Sequence, residues 1–504
     1  MNADTSSLWA SNDPARATPA LTSDAPCDVC VIGSGIAGLT SAYLLSRAGK
    51  RVVVLDAKPR LFTGETEHTT AHLAWYLDDT LAHVSAVRGD AVALAASQSH
   101  RDAVRRIGEI VRAEGIDCDF LPVDGLLFAG DDGRDTRTLD EEEVVLRRLG
   151  LPFERVTHTF PGGQAVPALR FPDHAQFHPI RYLSGMLAAL RRNGVALYTD
   201  TVVEDVRGGD PCTVTTAHGR HVSAKAVVVA TNNPFASGTT LHAKVAAYNT
   251  YAFAAEIPKG TVEARLYWDT EDPYHYVRIQ PGDGAHDFLV VGGEDHKTGQ
   301  ADDQPARWDR LHAWTRDRFP QLGSVRHHWS GQVFETPDGL GLIGLAPWNG
   351  PNVYLITGDS GMGMTHCTLG AHLVSDLICG KPNDLAGVYS PSRVMPAALR
   401  TLIGENLNVA AQYTDWLTGG DVSSPDDIPP GQGAIVRRGL TKLAVYKEPN
   451  GTLVTRSAVC PHMHGIVHWN AGESTWDCPC HGSRFSAKGT CLHGPSVGDL
   501  AEVE

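Results

Sequence analysis

The sequence has no apolar run long enough to cross a bilayer. The strongest, around Ala226–Ala230, is strand-sized. Clustered basic charge is also missing. With 43 Lys and Arg against 58 Asp and Glu the net charge is −15, which argues against a nucleic-acid partner because phosphate binding needs grouped Lys and Arg. Met1–Pro26 has neither a basic n-region nor an apolar h-region. No secretory signal is therefore expected, and the expected location is cytoplasmic. Disulfides are rare in that compartment. The ten cysteines are thus expected as buried thiols or metal ligands, and four of them fall in the last 45 residues. There is no internal repeat, and only one dinucleotide fingerprint.

What is present is a 504-residue chain, 42% hydrophobic and 20% charged, long enough for two or three globular domains. Residues 1–25 read as a polar N-terminal tail. Asp28–Ile32, Leu39–Ala48 and Arg51–Asp56 read as strand, helix and strand. Thr80–Gly115 and Pro179–Arg192 read as helices, and Val245–Glu256, Tyr274–Gln280 and Phe288–Val291 as antiparallel strands. Val353–Thr357 returns to a buried strand, followed by a glycine turn and a helix. The Gly-, Pro-, Ser- and Asp-rich stretch Gly419–Gly433 marks a domain boundary, with short strands and frequent turns beyond it.

Gly33-Ser-Gly35-Ile36-Ala37-Gly38 is G-x-G-x-x-G, placed after an apolar strand and opening a helix. Asp56 ends the next strand 18 residues after Gly38. In that context Gly33 permits the turn, Gly35 lets backbone approach a pyrophosphate, and Gly38 lets helix and strand close. The helix N-terminus offers free N–H groups to phosphate, and Asp56 can accept from ribose hydroxyls. Enzymes that pass electrons from NAD(P)H to FAD commonly need two nucleotide sites. A single site favours FAD alone.

From about Asp28 to Asn383 the chain resembles the D-amino-acid oxidase superfamily, which includes glycine, sarcosine and γ-glutamylputrescine oxidases. Gly64-Glu-Thr66-Glu-His-Thr69-Thr70-Ala71-His72 stands where that family has a loop along the pyrophosphate and flavin, with His68 and Thr69-Thr70 replacing the usual Arg and Asn-Gly. Val203 matches an adenine-contacting valine, and Ala230-Thr231-Asn232 an A-T-G motif with Asn for Gly. Thr357-Gly358-Asp-Ser-Gly361-Met362-Gly363-Met364-Thr365 resembles the C-terminal flavin motif. The resemblance implies FAD contacts from Gly33, Gly35, Ile36, Ala37, Gly38, Asp56 and Ala57. It implies further contacts from Gly64, Thr66, Thr69, Thr70 and Ala71, from Val203, Ala230 and Thr231, and from Gly358, Gly361, Met362, Gly363, Met364 and Thr365.

Near the C-terminus, Cys460-Pro-His462 is followed after fifteen residues by Cys478-Pro-Cys480-His481. Two cysteines and two histidines in this arrangement match a Rieske cluster, with thiolates on one iron and imidazoles on the other. The same four could hold Zn²⁺ as Cys₂His₂. The flanking Gly465-Ile-Val-His468-Trp469-Asn470, Trp476-Asp477, Gly482-Ser483-Arg-Phe485 and His493-Gly494-Pro495 resemble Rieske proteins and decide for [2Fe–2S]. Respiratory members have a cysteine at Gly465, disulfide-bonded to the one at Cys480, so here Cys480 is expected free. They have a tyrosine at Phe485 that donates to a ligand sulfur. With that donor gone, the potential is expected below the respiratory type, within about −150 to +300 mV. Exposed His464 stands beside the ligand loop.

The expected architecture is an α/β Rossmann-like FAD-binding domain (26–115, 170–240 and 330–383), an α+β substrate domain of mainly antiparallel sheet (116–169 and 241–329), a linker (384–422) and a small all-β Rieske domain (423–504). Candidates for the substrate pocket are Tyr248, Tyr251, Tyr276, Arg278 and His296. Tyr276 and Arg278 share one strand face, and Arg278 could clamp a carboxylate or form an interstrand ion pair. Tyr251, Tyr276, Arg278 and Thr365 are the catalytic candidates. Cys27-x-x-Cys30, Cys118, Cys212, Cys367 and Cys379 read as packed thiols, although Cys367 beside the flavin motif could carry flavin covalently, and His366 reads as a packed residue. The family resemblance implies oxidation of an amine or amino acid by hydride transfer to FAD. The cluster would then pass electrons singly to a ferredoxin or quinone-linked acceptor. The reverse flow, from a ferredoxin-like donor to FAD for a reductive or monooxygenase step, is the alternative. A redox sensor or carrier with no substrate is the third reading.

Overall fold

The apolar strand–glycine–helix–strand run at the start of the body becomes two parallel strands, Ala25–Ile32 and Val52–Leu55, joined by the helix Ile36–Arg47. Parallel strands covered on both faces carry unbroken apolar runs, and Val52–Leu55 is buried throughout. The sheet order is Leu342–Leu345, Val353–Thr357, His221–Val229, Ala25–Ile32, Val52–Leu55, Ala196–Tyr198, with Val203–Arg207 and Cys212–Thr216 as an antiparallel flap on His221–Val229. Leu342–Leu345 is antiparallel and the other five of that path are parallel. This computed structural model describes residues 6–503 apart from 12, 131–132, 134, 234 and 236–240.

A second, nine-stranded sheet runs Val325–Glu335, Ala246–Pro258, His286–Lys297, His275–Gln280, Leu266–Asp269, Leu121–Phe128, Ala165–Gln176, His72–Leu73, with Glu154–Thr159 beside Ala165–Gln176. One pair, Leu266–Asp269 with Leu121–Phe128, is parallel; the remaining pairs are antiparallel. Ala165–Gln176 and Val325–Glu335 each cross an expected domain boundary and lie whole in this sheet, because a strand follows its hydrogen-bond ladder rather than a change in composition. Helices Asp90–Glu114, Pro179–Arg192 and Gly363–Ile378 pack with Ile36–Arg47 into the main core. The long helix expected over Thr80–Gly115 is two, Leu81–Arg88 and Asp90–Glu114. Gly89, at φ 86° and ψ 160°, breaks it in a conformation that glycine reaches freely.

The N-terminal segment is a packed strap, contrary to the tail its composition predicts. Trp9 is 1% exposed and its Nε1 donates to the Thr69 carbonyl at 2.5 Å. Arg16 is buried, pairs with Glu67 at 2.8 Å and lies over Phe62. Residues 1–5 of the expected tail lie outside the described residues.

The C-terminal part has a three-stranded antiparallel sheet, Gly433–Arg438, Thr441–Lys447 and Leu453–Ser457, and a four-stranded one, His468–Asn470, Thr475–Asp477, Arg484–Ser486 and Cys491–His493. Among the described residues no helix is long and apolar enough to cross a membrane.

Candidate active site and cluster site

A cavity of about 710 Å³ runs between the two sheets. At the parallel sheet it begins at the glycine turn. Gly33 has φ +99°, and a Cβ on it would stand 2.4 Å from the Ala230 carbonyl oxygen. A Cβ on Gly38 would stand 1.9 Å from the Gly33 carbonyl oxygen. Both turn and helix entry therefore require glycine. Ile36 N donates to Thr66 Oγ1 at 3.1 Å, which joins the helix N-terminus to the Gly64–His72 loop. Asp56 accepts from Ser34 N at 2.8 Å, from the Ser34 hydroxyl and from Lys58 N at 2.8 Å. Burial nevertheless holds its carboxyl above the ordinary value.

Most of the expected FAD contacts line this cavity: Gly33, Gly35, Ile36, Ala37, Asp56, Ala57, Gly64, Thr66, Thr69, Thr70, Val203, Ala230, Thr231, Gly361, Met362, Gly363 and Met364. Gly38, Ala71, Gly358 and Thr365 do not. Gly38 packs behind the turn, Ala71 is fully buried at φ 60°, and Gly358 lies against Thr336. Thr365 shares a hydrogen bond of 2.8 Å with His100 Nδ1, so it is a core residue rather than a catalytic one. A cradle of glycines, a helix N-terminus and an elongated cavity fit a dinucleotide.

Under the antiparallel sheet the lining changes to Tyr76, Trp268, Tyr274, Tyr276, Thr250 and Asp78. Tyr276 is where the sequence places it, its hydroxyl 2.7 Å from Thr250 Oγ1. Arg278 is not. It is fully buried, and its donors go to the carbonyls of Thr70, Ile279 and Phe177 and to Gln280 Oε1. It also lies over the Trp9 ring. The substrate clamp is thus corrected to a structural anchor: strand alternation gives a face, and the strap covers this face at Arg278 while Tyr276, two residues before it, stays in the cavity. Tyr251 and His296 are bonded to each other at 2.9 Å and, like Tyr248, stand outside the cavity. Lys58 is the only Lys or Arg side chain among the described lining residues, and its Nζ donates to the Leu492 carbonyl at 2.5 Å.

Asp78 accepts from the Tyr274 hydroxyl at 3.2 Å and stands where a Cβ on Gly361 would fall. Burial, with Asp79 and Asp295 nearby, holds its carboxyl far above the usual range. Burial also raises Asp359, another lining residue, to about 7. Asp295 rises to about 7 for the same reason. No periodicity in the sequence signals Asp78, Asp295 and Asp359, which lie 64 to 281 residues apart. His366 and Cys367 both line the cavity. Burial raises the Cys367 thiol, keeping it protonated and poorly nucleophilic.

The four cluster candidates converge. The His462 and His481 rings are 5.2 Å apart, and Cys460 and Cys478 are buried together. Gly465 completes the nest, since a Cβ there would stand 2.5 Å from Cys480 Sγ. Cys480 is a free cysteine. Ser483, fully buried, accepts from Ser496 N at 3.0 Å. His481 Nδ1 is buried without a hydrogen-bond partner. An orphaned imidazole nitrogen beside a second imidazole, with two buried thiols on the same two loops, fits the two-thiolate, two-imidazole donor set.

The cluster loops are held by more than their own domain. Tyr413 donates its hydroxyl to the Met463 carbonyl at 2.8 Å, and Trp416 Nε1 donates to the His464 carbonyl at 2.9 Å. Asp415 meets His468 at 2.9 Å. The stretch expected as linker therefore walls the first loop. On the other side the body takes over. Buried His242 lies 4.6 Å from the His462 ring and 5.3 Å from the His481 ring. Burial, then the two neighbouring imidazoles, lower its pKa to about 3, so it is neutral. Gln332 Nε2 donates to the Gly482 carbonyl at 2.6 Å, Gln300 Nε2 to the Pro479 carbonyl at 3.1 Å, and Glu65 meets His493 Nδ1 at 2.8 Å. The strand and turn Thr490–Asp499 form part of the cavity wall. The last domain thus completes the site of the first.

A glycine-cradled cavity roofed by an antiparallel sheet, with a two-cysteine, two-histidine nest against its flank, defines a flavin and iron–sulfur oxidoreductase. The chain belongs to the FAD dependent oxidoreductase (DAO) family, matched over residues 28–377, and carries a Rieske [2Fe-2S] domain over residues 420–504. Its cofactors are FAD and a Rieske [2Fe–2S] cluster. It is 29% identical over 507 residues to YhfW of Bacillus subtilis, a protein named for a Rieske 2Fe-2S iron–sulfur centre, covering 98% of this chain and 97% of that one. It is 25% identical over 370 residues to the gamma-glutamylputrescine oxidoreductase of Escherichia coli, covering 70% and 84%. Glycine oxidase from Geobacillus kaustophilus shares the fold at a TM-score of 0.60 and 20% identity, over 73% of this chain and 99% of that one.

Proposed function

We propose that the chain oxidises an amine and delivers the electrons one at a time, through the Rieske domain, to an external one-electron carrier such as a ferredoxin or a quinone-linked acceptor. The observation that carries this reading is the docking: His242 of the body packs against both ligand histidines, and Thr490–Asp499 of the Rieske domain walls the flavin cavity. Two redox sites sharing a wall are built to exchange electrons with each other. Bound FAD supplies the hydride acceptor, and the bound cluster supplies one-electron storage.

The pocket residues favour an amine over an amino acid. With Arg278 turned away, no Arg or Lys among the described lining residues stands under the antiparallel sheet to pair with a carboxylate. Tyr76, Trp268, Tyr274 and Tyr276 offer ring faces there, which hold an ammonium group by cation–π attraction, and Asp78, whose buried carboxyl keeps its proton, offers a hydrogen-bonding oxygen. Asp359, titrating at about 7, suits the removal of a proton from that ammonium, which frees the nitrogen lone pair for oxidation. The relatives named for amine and amino-acid oxidation support the class.

Anaerobic mixing with a panel of amines and amino acids, followed by visible absorption and electron paramagnetic resonance, tests it. An amine that bleaches flavin and then raises a Rieske signal supports the reading. Reduction by amino acids alone overturns the amine preference. Cluster reduction by a ferredoxin ahead of flavin, with no amine active, reverses the direction of flow.

A further inference from the structure

One side chain reaches both redox sites. Asn233 is 4% exposed and lines the cavity. Its Nδ2 donates to the backbone carbonyl of the cluster residue His481 at 2.9 Å. That bond fixes the amide orientation, because a carbonyl can accept only from the NH₂ group. Asn233 Oδ1 is then left buried with no hydrogen-bond partner among the described residues. Its surroundings are pinned: Asn233 N donates to the Thr231 carbonyl at 2.7 Å, Thr231 Oγ1 donates back to the Asn233 carbonyl at 3.2 Å, and Thr357 Oγ1 donates to the Asn232 carbonyl at 2.5 Å. Asn232 sits at φ 62°, a left-handed conformation that asparagine tolerates better than most residues. Thr231, Asn232 and Thr357 line the same cavity. That oxygen lies behind the cavity wall, so the directed bond of this side chain is the one to the His481 carbonyl.

We propose that Asn233 is the positioning residue that couples the flavin cavity to the cluster: it stands in the cavity wall while its Nδ2 holds the His481 carbonyl, so one buried residue ties the wall of one site to the ligand loop of the other. This rests on the reading that electrons pass between them. The balance is simple. Each amine oxidised to an imine releases two electrons and two protons; the protons go to solvent. The electrons cross singly, the cluster being reoxidised by a one-electron carrier between them, so two carrier molecules are reduced per amine.

The test uses full-length, FAD- and iron-loaded protein with Asn233→Ala and Asn233→Ser. FAD and iron content, the g values of the reduced cluster, and the rate of cluster reduction after flash photoreduction of the flavin are measured. The expected result is full cofactor content and normal flavin photoreduction in both variants. Cluster reduction should be slowed by about tenfold or more in Asn233→Ala, the scale seen when a partner of a metal ligand is removed, with shifted g values as the His481 loop relaxes. Unchanged rates and g values in both variants overturn the proposal. So does loss of FAD or iron from both, which assigns Asn233 a purely structural part. If photoreduced flavin in the unmodified protein never reduces the cluster, the proposed electron flow fails instead, and the g values alone then decide whether Asn233 holds His481.

Discussion

A Cβ built on Gly482 would stand 2.4 Å from the Cβ of Ala247, which seats the second cluster loop against that side chain in the antiparallel sheet of the flavin body. Gly482 also has φ +80° and gives its carbonyl to Gln332. Gly482→Ala therefore meets both a clash and a strained backbone. Its expected cost is about 1–3 kcal/mol, relieved by separation of the two parts rather than by loss of the cluster. Thermal unfolding should show an earlier transition for the body with iron content unchanged, and cluster reduction by substrate should slow. A variant that keeps the parent's unfolding profile would show that the loop is not pressed against the sheet.

Asp78→Leu, which removes the oxygen that accepts from a cationic amine, should raise the KM for that amine by about 10–100-fold, the worth of one hydrogen bond to a charged group, whereas Asp78→Asn, which keeps a neutral acceptor, should change it little. Flavin content should be unchanged. The pH dependence has a definite sign. Burial holds Asp295 and Asp359 at about 7 in the folded chain, so a bound cation drives proton release and affinity should rise with pH through about 7. Without the amine the same groups act oppositely on folding. The folded state keeps protons that the unfolded state loses near the ordinary aspartate value, so stability falls as pH rises toward 7. An amine KM indifferent to both pH and Asp78 would remove the acidic side of the pocket from substrate binding.

His275 has a different pH signature. It is 4% exposed, bonded to Asp269 at 2.9 Å, and stacked on Trp314 at 4.4 Å, with Glu271 and Glu294 close by. Burial disfavours its charge, but the hydrogen bond to Asp269 and the nearby Glu294 and Glu271 carboxylates overcome this and lift its pKa from 6.5 to about 9. A raised folded pKa stabilises fully below 6.5, and that stabilisation is lost as pH rises through 9. The amount is on the order of 3 kcal/mol. The melting temperature of the parent should thus fall between pH 6.5 and 9, while that of His275→Gln stays flatter across that window. Parallel profiles would mean that His275 is neutral.

Much of this was legible beforehand, for identifiable reasons. The glycine turn and its helix, the strand Val353–Thr357 and the helix Pro179–Arg192 are encoded locally, and the structure shows them there. The four cluster candidates are legible because a ligand set imposes spacing, and the structure brings them together. Arg278 departs from the expectation because alternation does not say how far along a face a distant segment will reach, and here the N-terminal strap, polar in composition, packs on Arg278. Asn233, His242 and Tyr413 were invisible for the same reason. Each acts across a sequence separation of 50 to 248 residues, and neither their residue types nor their spacing announces a partner.

The strap supplies the last prediction. Trp9 is buried beneath Arg278 and donates to the carbonyl of Thr69, in the loop that lines the flavin cavity. Removing a buried tryptophan side chain costs about 3–5 kcal/mol, so Trp9→Ala should lower the melting temperature whatever its role. The discriminating measurement is the gain in melting temperature on adding FAD. A ligand stabilises according to its concentration relative to Kd. If Trp9 only fills a core, the parent and the variant gain equally. If it holds Thr69 and the loop in the shape that receives FAD, the variant gains less at every FAD concentration, and Trp9→Phe, which keeps the ring but loses the Nε1 donor, should recover most of the stability but little of that gain.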